Sequence, residues 1–408
     1  MTFNFIKCIV LPDEQRRSLY TRAIRVCNER LFFFTNLHYE GSLIMRLEGD
    51  IRIPSGCAIA AIISKEGKGI RGDVITNAMK PMHDRSNGLG GGFAAYGIYP
   101  EYKDFYALHF FFNNRDTRKT TESFLKERFE IVRAEQIPTR QVKSITDVPM
   151  IWRYFVAPLK SMMNHLQLDE KTYVARTVME INNSIKNAYV FSSGKNMGAF
   201  KAVGFPEDVG KFYRLEEYEG YSWTAHGRYP TNTPGWWGGA HPFTLLDYSI
   251  VHNGEISSYD SNRRFIEMFG YNCNLQTDTE VITYIFDYLV RRQGLSYEEA
   301  ANVVAAPFWQ TIDSKPKKER EKLTYLRTAF SNLLVTGPFS IVLGFDRGLM
   351  ALNDRLKLRS MVVGEKDDKV IIGSEEVAIR MMEPDAENIY APAGGEPVIV
   401  KLNDDVQI

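Results

Sequence analysis

The stretch Ser55-Gly56-Cys57-Ala58-Ile59-Ala60-Ala61-Ile62-Ile63-Ser64 decides how this chain is read. From Cys57 to Ser64 it is a run of small and β-branched residues, closed downstream by Gly67 and Gly69 and upstream by the breaker Ile53-Pro54-Ser55-Gly56. That pattern predicts a short buried strand. The boundary it sets falls at Cys57. Residues 1–56 have another texture: charged, aromatic and apolar residues alternate without a sustained period, as in Arg30-Leu31-Phe32-Phe33-Phe34. They are expected to be a leader or propeptide. Met45 lies twelve residues before Cys57, which makes residues 1–44 a candidate start-site artefact.

Downstream, helical and strand patterns succeed each other. Val174, Val178, Ile181 and Ile185 follow the candidate cap Asp169 at helical spacing. Val281, Ile282, Ile285, Phe286, Leu289 and Val290 do the same between residues 277 and 292. Later, Phe339-Ser340-Ile341-Val342-Leu343, Met361-Val362-Val363 and Val370-Ile371-Ile372 read as strands separated by charged turns. One large α+β domain over 57–408 is the simplest partition.

Composition excludes several classes. Hydrophobic residues make up 44% and charged residues 25%, an ordinary globular balance. Fifty basic residues balance fifty acidic ones, so no global bias toward nucleic acid exists. The N-terminal apolar run is interrupted by Lys7, Asp13 and Glu14, and no later run approaches the ~18 residues of a spanning helix. Cys8, Cys27, Cys57 and Cys273 form no CxxC pair, and the seven histidines form no HExxH. A cytoplasmic protein without a metal site, membrane segment or nucleic-acid partner is expected. Gly88–Gly92 matches neither GxGxxG nor a GK[ST] loop and reads as a turn beneath a site. Lys315–Lys322 reads as a solvated helix face.

Five segments could carry chemistry: Ser55–Ala58, His226–Thr233, Trp236–Phe243, His252–Ile256 and Thr277–Glu280. A cysteine attacks as its thiolate and needs a base, since its unperturbed pKa is about 8.5. If Cys57 begins the mature chain, its own α-amino group, with a pKa of about 7.7 to 8.0, is that base. An internal Cys57 has only an amide nitrogen, so this route demands cleavage of the Gly56–Cys57 bond. Cys8, Cys27 and Cys273 read as small buried hydrophobes. Arg228 offers a planar fork for a carboxylate, or an ordinary ion pair. Thr277 and Glu280 fit a capping box, with Asp278 at the first helical position. Asn253-Gly254 is either a tight turn or a pair of oxyanion donors, and its flanking His252 and Glu255 favour the second. Trp236-Trp237 beside Gly238-Gly239 is either core or, favoured by its place just after Arg228, a closing loop with glycine hinges. His226, His241 and His252 are expected to make structural hydrogen bonds.

Together these segments resemble the class II glutamine amidotransferases, and most of all the stand-alone glutaminase domain of the glutamate synthase large subunit, N-methylglutamate synthase-like systems included. Arg85–Gly92 and Asn353–Arg359 extend the likeness over nearly all of 57–408, and the spacings from Arg228 to Asn253 and from Asn253 to Asp278 are both 25 residues. The resemblance implies a four-layer αββα N-terminal-nucleophile hydrolase. It implies Cys57 as nucleophile and Asn253 with Gly254 as oxyanion hole. Arg228, Thr231, Trp236, Trp237 and Asp278 would bind glutamine, Arg228 at its α-carboxylate and Asp278 at its α-ammonium. No cofactor is expected in this chain. The ammonia would serve a partner synthase carrying FMN and an iron-sulfur cluster. Two alternatives stay open: the glutaminase unit of another amidotransferase pathway, or a glutamine-binding regulatory subunit with Cys57 unprocessed.

Overall fold

A computed structural model describes residues 56–229, 235–275 and 277–408. Cys8, Cys27 and Thr231, the latter expected to bind substrate, lie outside them, as does nearly all of the leader. Pro54–Ile408 is one compact unit.

The strand predicted from Cys57 runs from Ala58 to Ser64 and lies in a seven-stranded sheet between Lys369–Gly373 and Ser222–Gly227. Its alternation explains the layering. Ala58, Ala60 and Ile62 face one way, onto Ile75, Ala78 and Met79 of the helix Gly72–Met79 and onto Ala378 and Ile379 of the helix Glu376–Met382. Ile59, Ala61 and Ile63 face the other way, onto Val251, Val342, Leu349 and Ala351 of a five-stranded sheet. The opposite face of that second sheet, with Ile250, Ile341, Leu343 and Leu352, packs on Val281, Ile282, Ile285 and Phe286 of the helix Asp278–Phe286. Period-two burial on both faces of two sheets leaves room for helices only outside them. The result is the four-layer αββα sandwich. A four-stranded sheet, in the order Phe129–Gln136, Met150–Pro158, Tyr106–Phe112, Ala188–Ser192, extends it.

The predicted helices form. Asp169 caps Glu170–Ser184 by accepting from the Thr172 N–H at 3.0 Å. The 277–292 pattern is helical as Asp278–Phe286 and continues as a π-type turn over Asp287–Arg292. The mixed-charge run lies on the exposed start of the helix Lys317–Ala329.

Three local readings are corrected. Asn253-Gly254 is not a turn: both residues end the strand Tyr248–Gly254, paired with Ser340 and Phe339. Thr277 and Glu280 make no capping box. The Thr277 side chain caps nothing, and the Glu280 carboxylate accepts from the Leu275 N–H at 2.9 Å and the Asn274 N–H at 3.3 Å instead. Gly91 and Gly92 do not form a turn but open the strand Gly91–Tyr96, where a side chain on Gly92 would run into the carbonyl of His241.

Candidate functional site

The two sheets bring Cys57, Arg228, Asn253 and Gly254 together at one end. In the first, Ala58, Gly227 and Gly91 share a register row, so Cys57, Arg228 and Gly90 follow from adjacent strand ends. In the second, Asn253, Ser340 and Asn353 share a row. Gly56 joins the two halves. It has φ +118°, and a methyl group on it would lie 2.6 Å from Asn253 Oδ1 and 3.0 Å from the Arg359 guanidinium.

Asn253 is buried, and neither Nδ2 nor Oδ1 has a hydrogen-bond partner. An unsatisfied buried amide costs about 1 to 3 kcal/mol per group, so a strand end holding one is a costly place for a structural residue. Gly254 has φ +152°, and a side chain there would strike the Pro338 carbonyl. Glycine is required at that position.

The Cys57 sulfur accepts from the Tyr229 N–H at 3.3 Å. Burial pushes its thiol pKa up, against the pull of that N–H and of the Arg228 and Arg359 guanidinium groups. The pocket alone therefore favours the thiol over the thiolate. The Cys57 carbonyl accepts from Arg85 Nε at 3.3 Å, and Arg85 is held by Glu375 at 2.8 Å.

Arg228 is buried, with its N–H on the Gly90 carbonyl at 2.8 Å and its stem against Gly90. Asp278 lies at the first position of its helix. Its Oδ2 accepts from the Ile256 N–H at 3.2 Å, its Oδ1 from the Thr279 hydroxyl at 3.2 Å, and His252 Nδ1 stands 3.5 Å from it. Burial works against its charge, but the His252 ring and these donors outweigh it and hold the carboxyl below its usual range. The three histidines make hydrogen bonds within the protein, as expected. His226 donates to the His252 carbonyl at 2.8 Å and stacks on His241, while His241 Nε2 and His252 Nδ1 both reach Thr279 Oγ1, at 2.9 and 3.1 Å.

The tryptophan pair divides. Trp237 is partly buried, edge-on to Phe111 and Phe212, whereas Trp236 is 43% exposed. Gly238 and Gly239 are covered by the Trp236 indole, which leaves no room for side chains there. Beside them opens a cleft of about 680 Å³ lined by Phe111, Tyr189, Trp236 and Trp237. Sequence reasoning missed Arg359, Thr279 and Lys201. Arg359 follows a loop tied by Asp354, and nothing local to it signals an approach to Cys57. Cys273 is buried, as expected of a small hydrophobe. Among the described residues no group of three His, Cys, Asp or Glu side chains is placed to hold a metal ion. No described helix is long and apolar enough to cross a membrane.

With this geometry stand the likenesses to known proteins. Residues 103–391 match the family model described as glutamine amidotransferases class-II. The chain belongs to that family, whose members take glutamine as substrate and hydrolyse its amide. It is 50% identical to an uncharacterized protein of Archaeoglobus fulgidus over 85% of this chain and 92% of that one. It is also similar to a putative glutamine amidotransferase of Methanothermobacter thermautotrophicus, 24% identical over 79% of this chain and 93% of the relative. Among solved structures, the glutamine phosphoribosylpyrophosphate amidotransferase of B. subtilis, complexed with ADP and GMP, aligns with a TM-score of 0.44 and 12% identity over 85% of this chain and 47% of that one. The family match begins after Cys57, so the case for the nucleophile rests on geometry.

Proposed function

We propose that this protein is a glutaminase that releases ammonia from glutamine through Cys57 once the Gly56–Cys57 bond is cut. One observation carries the reading: the buried, unpartnered amide of Asn253 faces Gly56, the residue immediately before Cys57. In the uncut chain Gly56 fills the space beside that amide. Its removal vacates that space and gives Cys57 the α-amine it lacks.

The α-amine takes the thiol proton, and the thiolate attacks the side-chain carboxamide carbon of glutamine. The Asn253 amide and the Gly254 N–H stabilise the oxyanion as it forms. The C–N bond then breaks, the α-ammonium returns a proton to the leaving nitrogen, and ammonia departs. Water, deprotonated by the same amine, attacks the thioester to give glutamate and free thiol. Arg228 holds the α-carboxylate and Asp278 the α-ammonium of the substrate. Trp236, Trp237 and Thr231 are the further candidates for contacts with glutamine.

Released ammonia is useful only if consumed. The likeness of the five segments to the glutamate synthase glutaminase supports a flavin-dependent synthase subunit, with FMN and an iron-sulfur cluster, as the consumer. Mass analysis of the active protein should show an N-terminus at Cys57, and Cys57→Ala should abolish ammonia release. Full glutaminase activity in a chain with the Gly56–Cys57 bond intact would refute the mechanism.

A further inference from the structure

Lys201 is a charged residue buried in the strand Met197–Ala202, with no exposed surface. Nothing in the chemistry above uses it. Its ammonium donates to two carbonyls, Gly238 O at 2.9 Å and Pro242 O at 3.3 Å. A buried ammonium is costly unless its hydrogen bonds and charge are met. Those two bonds therefore bind the Gly238–Pro242 segment firmly to the first sheet.

Between the two carbonyls lie Ala240 and His241, and each is one contact removed from a residue assigned to the substrate: Ala240 through Gly90 and His241 through Thr279. Ala240 and the Arg228 stem pack against the same side of Gly90: a methyl group built there would lie 3.3 Å from Ala240 Cβ and 3.2 Å from Arg228 Cδ. His241 reaches Thr279 Oγ1 at 2.9 Å, and the Thr279 hydroxyl donates to Asp278 Oδ1 at 3.2 Å. One lysine thus fixes a five-residue segment that braces both the cationic and the anionic end of the pocket.

We infer that Lys201 is a positioning residue for glutamine binding, acting through Ala240 on Arg228 and through His241 and Thr279 on Asp278. The inference rests on the assignment of Arg228 and Asp278 to the substrate. The charged and titratable groups that act on Lys201 are Glu280, Arg228 and His241, with the Tyr189 ring 5.4 Å and the Phe243 ring 4.7 Å from its Nζ. Glu280 in turn acts on Tyr189, Tyr259, Cys273 and Tyr284. Burial pushes the Lys201 ammonium down to about 7, with Glu280 opposing the shift and Arg228 adding to it. The strength of the clamp should therefore fall as pH rises past neutrality, because a neutral amine is a weaker donor than an ammonium.

The test is steady-state glutamine hydrolysis by the mature protein with Lys201→Met and Lys201→Gln, alongside Arg228→Lys and Asp278→Asn. Both Lys201 variants should raise KM for glutamine at least tenfold and leave kcat within about threefold, because the reacting atoms are untouched. In the wild type KM should climb between pH 6.5 and 8.5, and in Lys201→Met it should be flat. A KM within twofold of wild type in both Lys201 variants, or a wild-type KM indifferent to pH, would overturn the clamp. The Arg228 and Asp278 variants separate the two levels: if they raise KM and the Lys201 variants do not, only the clamp fails. If they leave KM unchanged, the pocket assignment itself fails.

Discussion

Asn253 separates structural from chemical roles at a single atom. Replacing it by Asp keeps the size and the backbone preferences, yet removes the amide donor and sets a carboxylate where negative charge must form. Loss of one such donor typically costs 10² to 10³ in rate, about 2.7 to 4 kcal/mol of transition-state stabilisation. Asn253→Asp should therefore lose turnover by that factor, while the affinity for a glutamine analogue and the melting temperature stay near wild type. Near-normal kcat would mean the oxyanion donors lie elsewhere. The sequence singles out the residue, but its conformation was not legible there. Asn-Gly is a strong local turn signal. Here pairing with Ser340 and Phe339, far along the chain, draws both residues into a strand. The failed capping box has a similar cause: buried Glu280 turns to the Asn274 and Leu275 N–H groups rather than back to the Thr277 backbone.

The loop after the strand Gly348–Asn353 shows how one side chain can set the course of a segment. Asp354 accepts from the Leu356 and Leu358 N–H groups at 2.9 Å each and from Phe339 N–H at 3.2 Å. It thereby folds residues 354–359 back toward Cys57 and delivers Arg359. Asp354→Ala would orphan three backbone donors, two of them partly buried. At about 1 to 3 kcal/mol for a buried donor left unmet and less where water enters, a loss of roughly 2 to 4 kcal/mol is expected. A urea midpoint unchanged from wild type would show that water replaces the carboxylate at no cost. Periodicity made the strand at Ala58–Ser64 and the helix at Glu170–Ser184 readable because their burial repeats within a few residues. Arg359 and Lys201 were not readable. Their significance comes from partners that only the packing of two sheets brings near, and no window along the chain contains both.

The four-layer arrangement also decides how the whole protein answers to acid. Histidines that a sheet interior encloses must stay neutral. Burial pushes His109 and His226 down to about 3 and holds His241 well below its ordinary value. The unfolded chain protonates all three as pH falls through about 6.5. The native protein does not, so in that window the unfolded state binds three more protons and stability falls as pH falls. Glu280 works the other way, because burial raises its carboxyl to about 7 and the native state binds that proton first. Lys201 is protonated in both states below that point and drops out. The difference is about two protons, a slope near 2.7 kcal/mol per pH unit between roughly pH 6 and 5. Urea midpoints at pH 7.5, 6.5 and 5.5 should therefore decline ever more steeply. His109 allows a clean check because it lies away from the site, between the Ala199 carbonyl and the Tyr99 hydroxyl, at 3.0 Å from each. A glutamine amide can satisfy both partners and does not titrate. His109→Gln should remove about one proton's share of the slope, near 1.4 kcal/mol per pH unit. Midpoints that hold level or rise toward pH 5.5, or a slope that His109→Gln leaves unaltered, would show that these rings are protonated in the native state.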